Sequence, residues 1–360
     1  MNQSSFFRGL FLITVLVFFV AGTALQAQEF DPASRAYRTD VSRKGTAAGT
    51  MLEIGVGARA EALGGAFTAI ANDPSALYWN PGGMTEMTGI AAQFTRLNWL
   101  VDTKYHAFDL VVPLPQISWA VGFHLAMLDF GENPVRTVFR PDGTGEFYSA
   151  KDMVAGLYLG MAITDRISVG MGVKYFYERI WHVDGSAFAF DLGILYKTAL
   201  KGLQLGGSIS NFGPEFALSG RDLTRVMDSD GRRDKFFNND QVPVNLKTDE
   251  YPLPLLFRFG ISYNWQLGER NALIFSTDLN HPSHSTESIN LGMEFKTLNA
   301  LYLRAGYQSL FERNAINGLT LGAGLIYRVM GQSTITFDYS WSDWSVLDSV
   351  SRFTISVTAF

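Results

Sequence analysis

From about residue 90 onward, bulky apolar residues alternate with small or polar residues in long segments. Within residues 167–175 the bulky side chains share one face: Ile167, Val169, Met171, Val173 and Tyr175. Successive side chains of a strand point to opposite faces, so this period of two predicts β-strands. Many segments reach ten residues or more, whereas an ordinary strand has about five or six.

About fourteen such segments follow one another along the chain. An even number of long antiparallel strands is typical of a membrane barrel, whose sheet must close on itself to satisfy every backbone polar group. A soluble β-sandwich would explain the alternation but not the strand length. We therefore predict an all-β fold, a transmembrane antiparallel β-barrel of about 14 strands over residues 90–360. The predicted strands are 90–100, 104–113, 117–129, 148–163, 167–181, 186–197, 202–211, 255–267, 272–280, 288–297, 300–309, 318–329, 333–342 and 351–360.

Connection lengths support the barrel. Short connections follow the even-numbered strands, whereas the two longest, near 130–147 and 212–254, both follow odd-numbered strands. Tight turns at one end and long loops at the other are the pattern of an outer-membrane barrel, where the long loops are extracellular. With an even strand count, both termini are expected in the periplasm.

The two faces of the strands differ in charge. The bulky face is nearly free of charge, and Trp and Tyr recur near strand ends, for example at Trp99, Trp265 and Trp341. We predict that this face meets lipid. The opposite face carries Gly, Ser, Thr and charges of both signs, which we interpret as a paired polar interior. The lumen charges chosen as site candidates are Lys174, Asp191, Arg258, Asp278, Glu294 and Arg304.

The amino-terminal residues predict export. A positive residue, Arg8, precedes the apolar stretch 10–21, and small residues end at Ala27. This is the organisation of a secretory signal peptide, expected over residues 1–27. Together with the strands, it predicts a protein of the bacterial outer membrane.

Residues 28–89 lie between the signal peptide and the first strand and lack its alternation. Their many Gly and Ala residues permit close approach of backbones, and a barrel of this size has a lumen that needs filling. We predict short helical turns that form a hatch in the lumen. The spacing Gly55-x-Gly57-x-x-Ala60 is a poor nucleotide-binding motif here, because the strand patterns that follow indicate antiparallel hairpins rather than a βαβ unit.

The composition of the chain excludes several classes of function. The net charge of −5 argues against nucleic acid as a partner. Cysteine is absent, which excludes disulfides, thiolate metal sites and a cysteine nucleophile. Five histidines are present, but no nucleophile–base pair is apparent. We therefore expect a protein that is not an enzyme, with no catalytic residue, no metal site and no cofactor.

The hatch region carries a family resemblance. Residues 45–84 read GTAAGTMLEIGVGARAEALGGAFTAIANDPSALYWNPGGM. This stretch resembles the opening of the PorV/PorQ family of outer-membrane proteins, and Asn211-Phe212-Gly213-Pro214 resembles a second block. The resemblance covers the mature chain and, more distantly, extends to FadL-type barrels with an N-terminal hatch. The matched hatch positions are candidates for structure or gating: Gly64, Gly65, Phe67, Asp73, Trp79, Asn80 and Pro81.

The resemblance implies two different functions. The PorV/PorQ family implies a barrel of the type IX secretion system that binds secreted cargo and passes it to the surface attachment machinery. Its implied partners are the translocon, attachment-complex proteins, cargo and outer-membrane lipid. The FadL relation implies the alternative, uptake of hydrophobic small molecules, with Phe216, Leu218, Phe236, Phe237 and the hatch aromatics lining an apolar mouth. The loop residues proposed to meet a partner are Arg221, Asp222, Arg232, Arg233, Lys235 and Phe236.

Overall fold

The computed structural model describes residues 43–228, 241–312, 315–329 and 333–359. The predicted signal peptide lies outside these ranges, as do Phe360 and four of the six loop candidates: Arg232, Arg233, Lys235 and Phe236.

Within the described residues, long antiparallel strands form the wall of the molecule, and short strands lie in one loop. The first half of the wall contains β1 (Ile90–Asn98), β2 (Lys104–Leu114), β3 (Trp119–Pro134), β4 (Phe147–Ala162), β5 (Ile167–Ile180), β6 (Val183–Lys197) and β7 (Leu203–Phe212). The second half contains β11 (Leu256–Gln266), β12 (Ala272–Pro282), β13 (Ser288–Thr297), β14 (Leu301–Leu310), β15 (Leu319–Arg328), β16 (Thr334–Asp343) and β17 (Ser349–Ala359). The short strands are β8 (Ser219–Gly220), β9 (Thr224–Met227) and β10 (Val242–Asn245).

The wall is a closed barrel of 14 strands. Each long strand pairs antiparallel with its neighbours in sequence, and β7 pairs with β11 across the long loop. The first and last strands also pair, from Ile90 opposite Ala359 to Leu97 opposite Arg352. The predicted fold class, strand number and closure are confirmed.

The alternation sorts side chains between the two surfaces of the wall as predicted. On β11, Phe257, Phe259 and Ile261 point outward and are 39–41% exposed, whereas Arg258 and Ser262 point inward and are buried. An outer surface of large apolar side chains suits hydrocarbon, because it offers the lipid no unpaired polar group.

The two ends of the barrel differ. At one end, tight turns of three to five residues connect the strands: 115–118, 163–166, 198–202, 267–271 and 298–300. At the other end the longest connection, residues 213–255, contains the short strands β8 to β10.

Two loop expectations require correction. Residues 130–134, expected in a loop, belong to β3, because β3 and β4 continue as a hairpin beyond the barrel wall and pair as far as Pro134 opposite Phe147. The connection itself is therefore limited to residues 135–146. At the same end, β5 and β6 are joined by only Trp181 and His182, so the connections there are not uniformly long.

The described part of the hatch, residues 43–89, is built from short helical turns. They are the 3₁₀ helices Thr50–Glu53 and Pro81–Glu86 and the α-helices Ala58–Ala62 and Ala76–Trp79. The first α-helix lies against β14–β17, and Pro81–Glu86 lies against β2–β6. The hatch thus crosses the lumen between opposite walls, as the sequence predicts. The residues around Gly55 and Gly57 belong to this hatch and not to a nucleotide-binding unit.

Among the described residues, no helix combines the length and the apolar character that a membrane crossing requires.

Candidate functional site

A buried ion network ties the hatch to the wall. Arg59, in helix Ala58–Ala62, donates through Nε to Glu294 Oε2 at 2.9 Å and through Nη2 to Glu294 Oε1 at 3.1 Å. Arg304 donates to the same Glu294 Oε2 at 2.6 Å and to Asp338 Oδ1 at 2.5 Å. Two guanidinium groups and two carboxylates therefore neutralise one another inside the barrel, where unpaired charges would be costly.

The same Arg59 also orders the hatch itself. Its Nη1 donates to Asn72 Oδ1 at 2.6 Å and to Asp73 Oδ2 at 3.2 Å. Burial alone would lower the pKa of Arg59, but Glu294 and Asp73 reverse this and raise it above its ordinary value. The second oxygen of Asp73 accepts from Ser75 N at 3.0 Å, which fixes the turn before helix Ala76–Trp79.

Two further residues hold the hatch backbone against the wall. Asp278 Oδ2, on β12, accepts the amides of Phe67 at 3.0 Å and Thr68 at 2.8 Å. Asn80 donates from Nδ2 to Thr68 O at 2.7 Å and to Ile194 O at 2.9 Å. These bonds satisfy backbone groups of an irregular segment that lies away from water.

A second polar cluster lies on the other side of the lumen. Asp191 accepts from Tyr158 Oη at 3.0 Å, from Lys174 Nζ at 2.9 Å and from the amide of Asn211 at 2.8 Å. In the same interior, His124 Nδ1 lies 2.6 Å from Asp109 Oδ1. Of the lumen candidates, Lys174 is thus paired with Asp191 and Arg304 with Glu294. Asp278 instead accepts backbone amides, and Arg258 donates to Ser210 Oγ at 3.2 Å.

Glycines allow the hatch to lie directly on the wall. Gly64 has φ +65°, and a Cβ there would lie 2.8 Å from the carbonyl oxygen of Leu291 on β13. A Cβ on Gly206 would overlap the carbonyl oxygen of Thr68. The backbones of hatch and wall are therefore in direct contact, and larger residues at these positions would separate them.

A vestibule opens at the long-loop end of the barrel, with a volume of about 730 Å³. Its sides are mostly apolar and include Met51, Ile54, Trp99, Leu100, Leu128, Phe130, Tyr148 and Trp344. Trp99 and Trp344 form an edge-to-face pair with ring centroids 4.9 Å apart. They join the β1–β2 and β16–β17 connections above the seam where the barrel closes.

Polar residues form the floor of the vestibule. Glu61, Gln308 and Arg352 lie there, and Gln308 Nε2 donates to Glu61 Oε2 at 3.1 Å. Asn317 Nδ2 donates to Gln308 Oε1 at 3.2 Å. The vestibule therefore combines an aromatic side wall with a small polar floor, a common composition of ligand sites.

A side cavity of about 410 Å³ shares Thr50, Glu53, Glu61 and Gln308 with the vestibule. Arg258 lies over the rings of Tyr78 and Trp79, at 5.2 and 5.1 Å from their centroids. Burial raises the pKa of Tyr78 to about 12, so this hydroxyl stays protonated at neutral pH.

The hatch closes the lumen below these cavities. A third cavity of about 230 Å³ lies at the short-turn end, with Arg59, Asn72, Lys201 and Ser262 in its lining. Among the described residues it shares no lining residue with the vestibule or the side cavity. Between them lie Leu63 and Phe67, whose side chains are 0% exposed.

The outer face of the wall also has an apolar hollow of about 560 Å³. It lies across β3 to β7 and β11, and its lining includes Gly170, Gly193 and Gly206. On the inner side of the wall, the hatch backbone lies directly against these glycines. Pro81 lies behind Gly170, and Thr68 lies behind Gly206. At these glycines only the backbone of the wall separates the hollow from the hatch.

The predicted hatch candidates lie where hatch and wall meet or beside a cavity. Gly65 and Trp79 line the side cavity, Asp73 binds Arg59, and Asn80 and Pro81 contact the glycines of β5 and β6. Their assignment to gating stays a prediction.

The loop candidate Asp222 lies 3.0 Å from His182 Nδ1 through Oδ2, and Arg221 contacts the same ring. Their role in partner binding also stays a prediction.

Of the residues predicted to line an apolar mouth, Phe236 and Phe237 lie outside the described residues, and Tyr78 and Trp79 line the side cavity. Phe216 is 4% exposed and packs on Phe176, with centroids 5.4 Å apart, so it does not line the vestibule.

Sequence reasoning missed Arg352, Glu61 and Gln308. For Arg352 a signal was present, because it is a charge at an inward position of β17, between the outward residues 351 and 353.

Within the described ranges, no group of three or more His, Asp or Glu side chains is placed to hold a metal ion.

The fold and the vestibule define the class of protein that the chain resembles, a 14-stranded membrane barrel with an N-terminal hatch. No protein-family profile matches the sequence, and no curated protein matches it. Among solved structures it is similar to the CymD monoaromatic hydrocarbon channel, with a TM-score of 0.56 and 12% identity over 85% of this chain and 98% of that one.

Two toluene transporters share the same architecture. TodX of P. putida gives a TM-score of 0.54 at 14% identity, over 85% of this chain and 99% of TodX. TbuX of Ralstonia pickettii gives 0.50 at 13% identity, over 84% and 97%. The FadL-like barrel is therefore confirmed as the fold, whereas the PorV/PorQ resemblance finds no support.

The predicted role in type IX secretion is wrong. The three structures named above, which share this architecture over nearly their whole length, are a hydrocarbon channel and two toluene transporters. The secretion partners and cargo that were predicted with that role remain without any test.

Proposed function

We propose that this chain is a non-enzymatic outer-membrane channel for small apolar molecules, with aromatic hydrocarbons as the first class to test. Its short-turn end and both termini face the periplasm, the long loops face the exterior, and lipid surrounds the wall. The observation that carries the proposal is the vestibule at the long-loop end, with its aromatic side wall.

The vestibule suits small ligands in size and surface. Its volume of about 730 Å³ falls within the range of about 300–1,000 Å³ of small-molecule sites. The edge-to-face pair Trp99 and Trp344 offers an aromatic surface to a ring, and Leu128 and Phe130 extend the apolar lining. The architecture shared with hydrocarbon channels supports the same class of ligand.

Passage beyond the vestibule requires movement, because the hatch fills the lumen below it. The hatch is held to the wall by two apolar clusters, which include Val56 and Leu77 of the hatch, and by side-chain hydrogen bonds. Arg59 of the hatch donates to Glu294 of the wall, and Asp278 of the wall accepts the amide of Phe67 in the hatch. A shift that loosens these bonds would join the vestibule to the lower cavity.

Binding of ethylbenzene to the full chain in nanodiscs tests the proposal, with empty nanodiscs subtracted in isothermal titration calorimetry. Ala150 lies at the vestibule and Ala155 lies on the outer face of the same strand. We expect saturable binding that Ala150→Trp abolishes by filling the cavity, whereas Ala155→Trp retains it. A chain that binds no ethylbenzene beyond empty nanodiscs would refute the proposal.

A further inference from the structure

Arg352 on β17 has donors that the protein leaves unused. The side chain is 1% exposed and lies at the floor of the vestibule. Its Nη1 lies 3.0 Å from Glu61 Oε2, but the geometry is not that of a hydrogen bond. Among the described residues, neither Nε nor Nη1 of Arg352 has a hydrogen-bond acceptor. A buried guanidinium with unsatisfied N–H groups is costly, and an acceptor from a ligand would relieve that cost.

The neighbours of Arg352 are already engaged. Glu61 Oε2 accepts from Gln308, and Gln308 Oε1 accepts from Asn317. This chain of bonds holds the Glu61 carboxylate in place, and Gln308 occupies part of its capacity as an acceptor. The floor therefore has more hydrogen-bond donors at Arg352 than acceptors, although the Arg352 guanidinium and the Glu61 carboxylate lie side by side.

The charges around the floor favour an uncharged ligand. Two carboxylates, Glu53 and Glu61, line the vestibule together with the single guanidinium of Arg352. A ligand carboxylate at Arg352 would lie near the like charge of Glu61 and would have to lose its own hydration. A carbonyl oxygen accepts the same N–H bonds without either cost.

We propose that Arg352 is a ligand-binding residue that donates a hydrogen bond to the carbonyl oxygen of an uncharged aromatic molecule against the vestibule floor. The vestibule then prefers aromatic ketones, aldehydes or esters to hydrocarbons of the same shape and to aromatic carboxylates. The preference for an aromatic ligand follows from the side wall, where Trp99, Trp344 and Tyr148 offer ring surfaces. The inference rests on the proposed function and names its ligand class.

The test compares three probes of one size: acetophenone with a carbonyl, ethylbenzene without one, and benzoate with a charge. Dissociation constants are measured by calorimetry on the full chain in nanodiscs. A hydrogen bond from a charged donor is expected to make acetophenone bind about tenfold tighter than ethylbenzene. Benzoate is expected to bind more weakly than acetophenone.

Variants assign the preference to Arg352. Arg352→Met keeps the length of the side chain and removes every donor, so the ratio of the two dissociation constants should fall to about one. Arg96→Met makes the same change on the exposed outer face of the neighbouring β1 and should keep the ratio. Because Arg352→Met leaves Glu61 without its cation, the double variant Glu61→Gln/Arg352→Met provides a neutral floor for the same comparison.

The outcomes separate the two proposals. If ethylbenzene binds and acetophenone gains nothing, or if the gain survives in both Arg352 variants, the role of Arg352 is wrong while the channel proposal stands. Tighter binding of benzoate than of acetophenone also overturns it. If neither acetophenone nor ethylbenzene binds the unaltered chain, the proposed function itself fails.

Discussion

Arg59 of the hatch and Glu294 of β13 form a two-pronged ion pair, with Nε–Oε2 at 2.9 Å and Nη2–Oε1 at 3.1 Å. Parallel bonds of this kind fix both the distance and the orientation of the two groups. The pair therefore determines where helix Ala58–Ala62 lies in the lumen, and it shares Glu294 with Arg304 of the wall.

Removal of the carboxylate should loosen the hatch. Glu294→Gln leaves the buried guanidinium groups of Arg59 and Arg304 undercompensated, which we expect to lower the free energy of unfolding by about 3–5 kcal/mol. Heat-dependent migration on a gel would report the stability, and planar-bilayer conductance would report opening of the lumen. We expect both to change.

Glu86→Gln serves as the control for that variant. It breaks the ion pair between Glu86 and Lys197, whose side chains are 19% and 40% exposed, whereas Glu294 is 1% exposed. A partly exposed pair contributes about 1 kcal/mol or less, so stability and conductance should change less than in Glu294→Gln. Equal behaviour of the two variants would contradict the proposed role of Glu294.

Asp278 should protect two hatch amides from exchange with solvent. Asp278→Ala removes the acceptor of Phe67 N and Thr68 N, and hydrogen exchange at those amides should accelerate by about tenfold or more. Asp343→Ala is the control, because Asp343 accepts the amide of Ser345 in an exposed connection. Unchanged protection at residues 67 and 68 would show that other contacts hold this segment.

Adjacent glycines of β7 should respond differently to the same change. A Cβ on Gly206 would overlap the backbone of Thr68, whereas a Cβ on Gly207 would meet only Ile194 Cγ2 at 3.3 Å, on the outer face. We expect Gly206→Ala to displace the hatch and lower the unfolding temperature in lipid. Gly207→Ala should be tolerated, because a side chain can yield where backbone cannot. Equal temperatures would argue against direct backbone contact.

The stability of the folded chain should depend on pH through His284 and Glu53. His284 Nε2 lies 3.0 Å from Glu53 Oε1, and this bond raises the pKa of His284 above its ordinary value. The protonated form is thus favoured in the folded chain, so the stabilisation is complete below about pH 6.5. It is lost as pH rises through the raised pKa.

An NMR titration of His284 would show that displaced pKa directly. Glu53→Gln should return it towards the ordinary value, because the hydrogen bond to a carboxylate is the main cause of the shift. The unfolding temperature of the unaltered chain should fall between neutral and alkaline pH by more than that of Glu53→Gln. A histidine that titrates normally in both chains would exclude this link.

Local pattern predicted the wall well because period two is a property of adjacent residues. Phe257, Arg258 and Phe259 already reveal which surface each faces. The hatch contacts could not be predicted in this way, because Arg59 and Glu294 are 235 positions apart. Arg352 was overlooked although its inward position was readable, since the pattern cannot show whether an inward charge is paired.

The functional prediction failed for a related reason. Gly64 in the matched motif is explained by its positive φ and the nearby backbone of Leu291. Asn80 is explained by its bonds to Thr68 and Ile194. A motif fixed by the fit of a hatch to its wall identifies a hatch, and it carries no information about what the barrel binds.

The pairing of β1 with β17 imposes an order on assembly. Residue 90 cannot meet residue 359 until the chain has been synthesised to its far end, so the ring closes last. The hatch precedes β1 and contacts strands on both sides of that seam. We infer that the hatch is seated on the sheet before the seam closes, because its helices pack against strands on both sides of that seam.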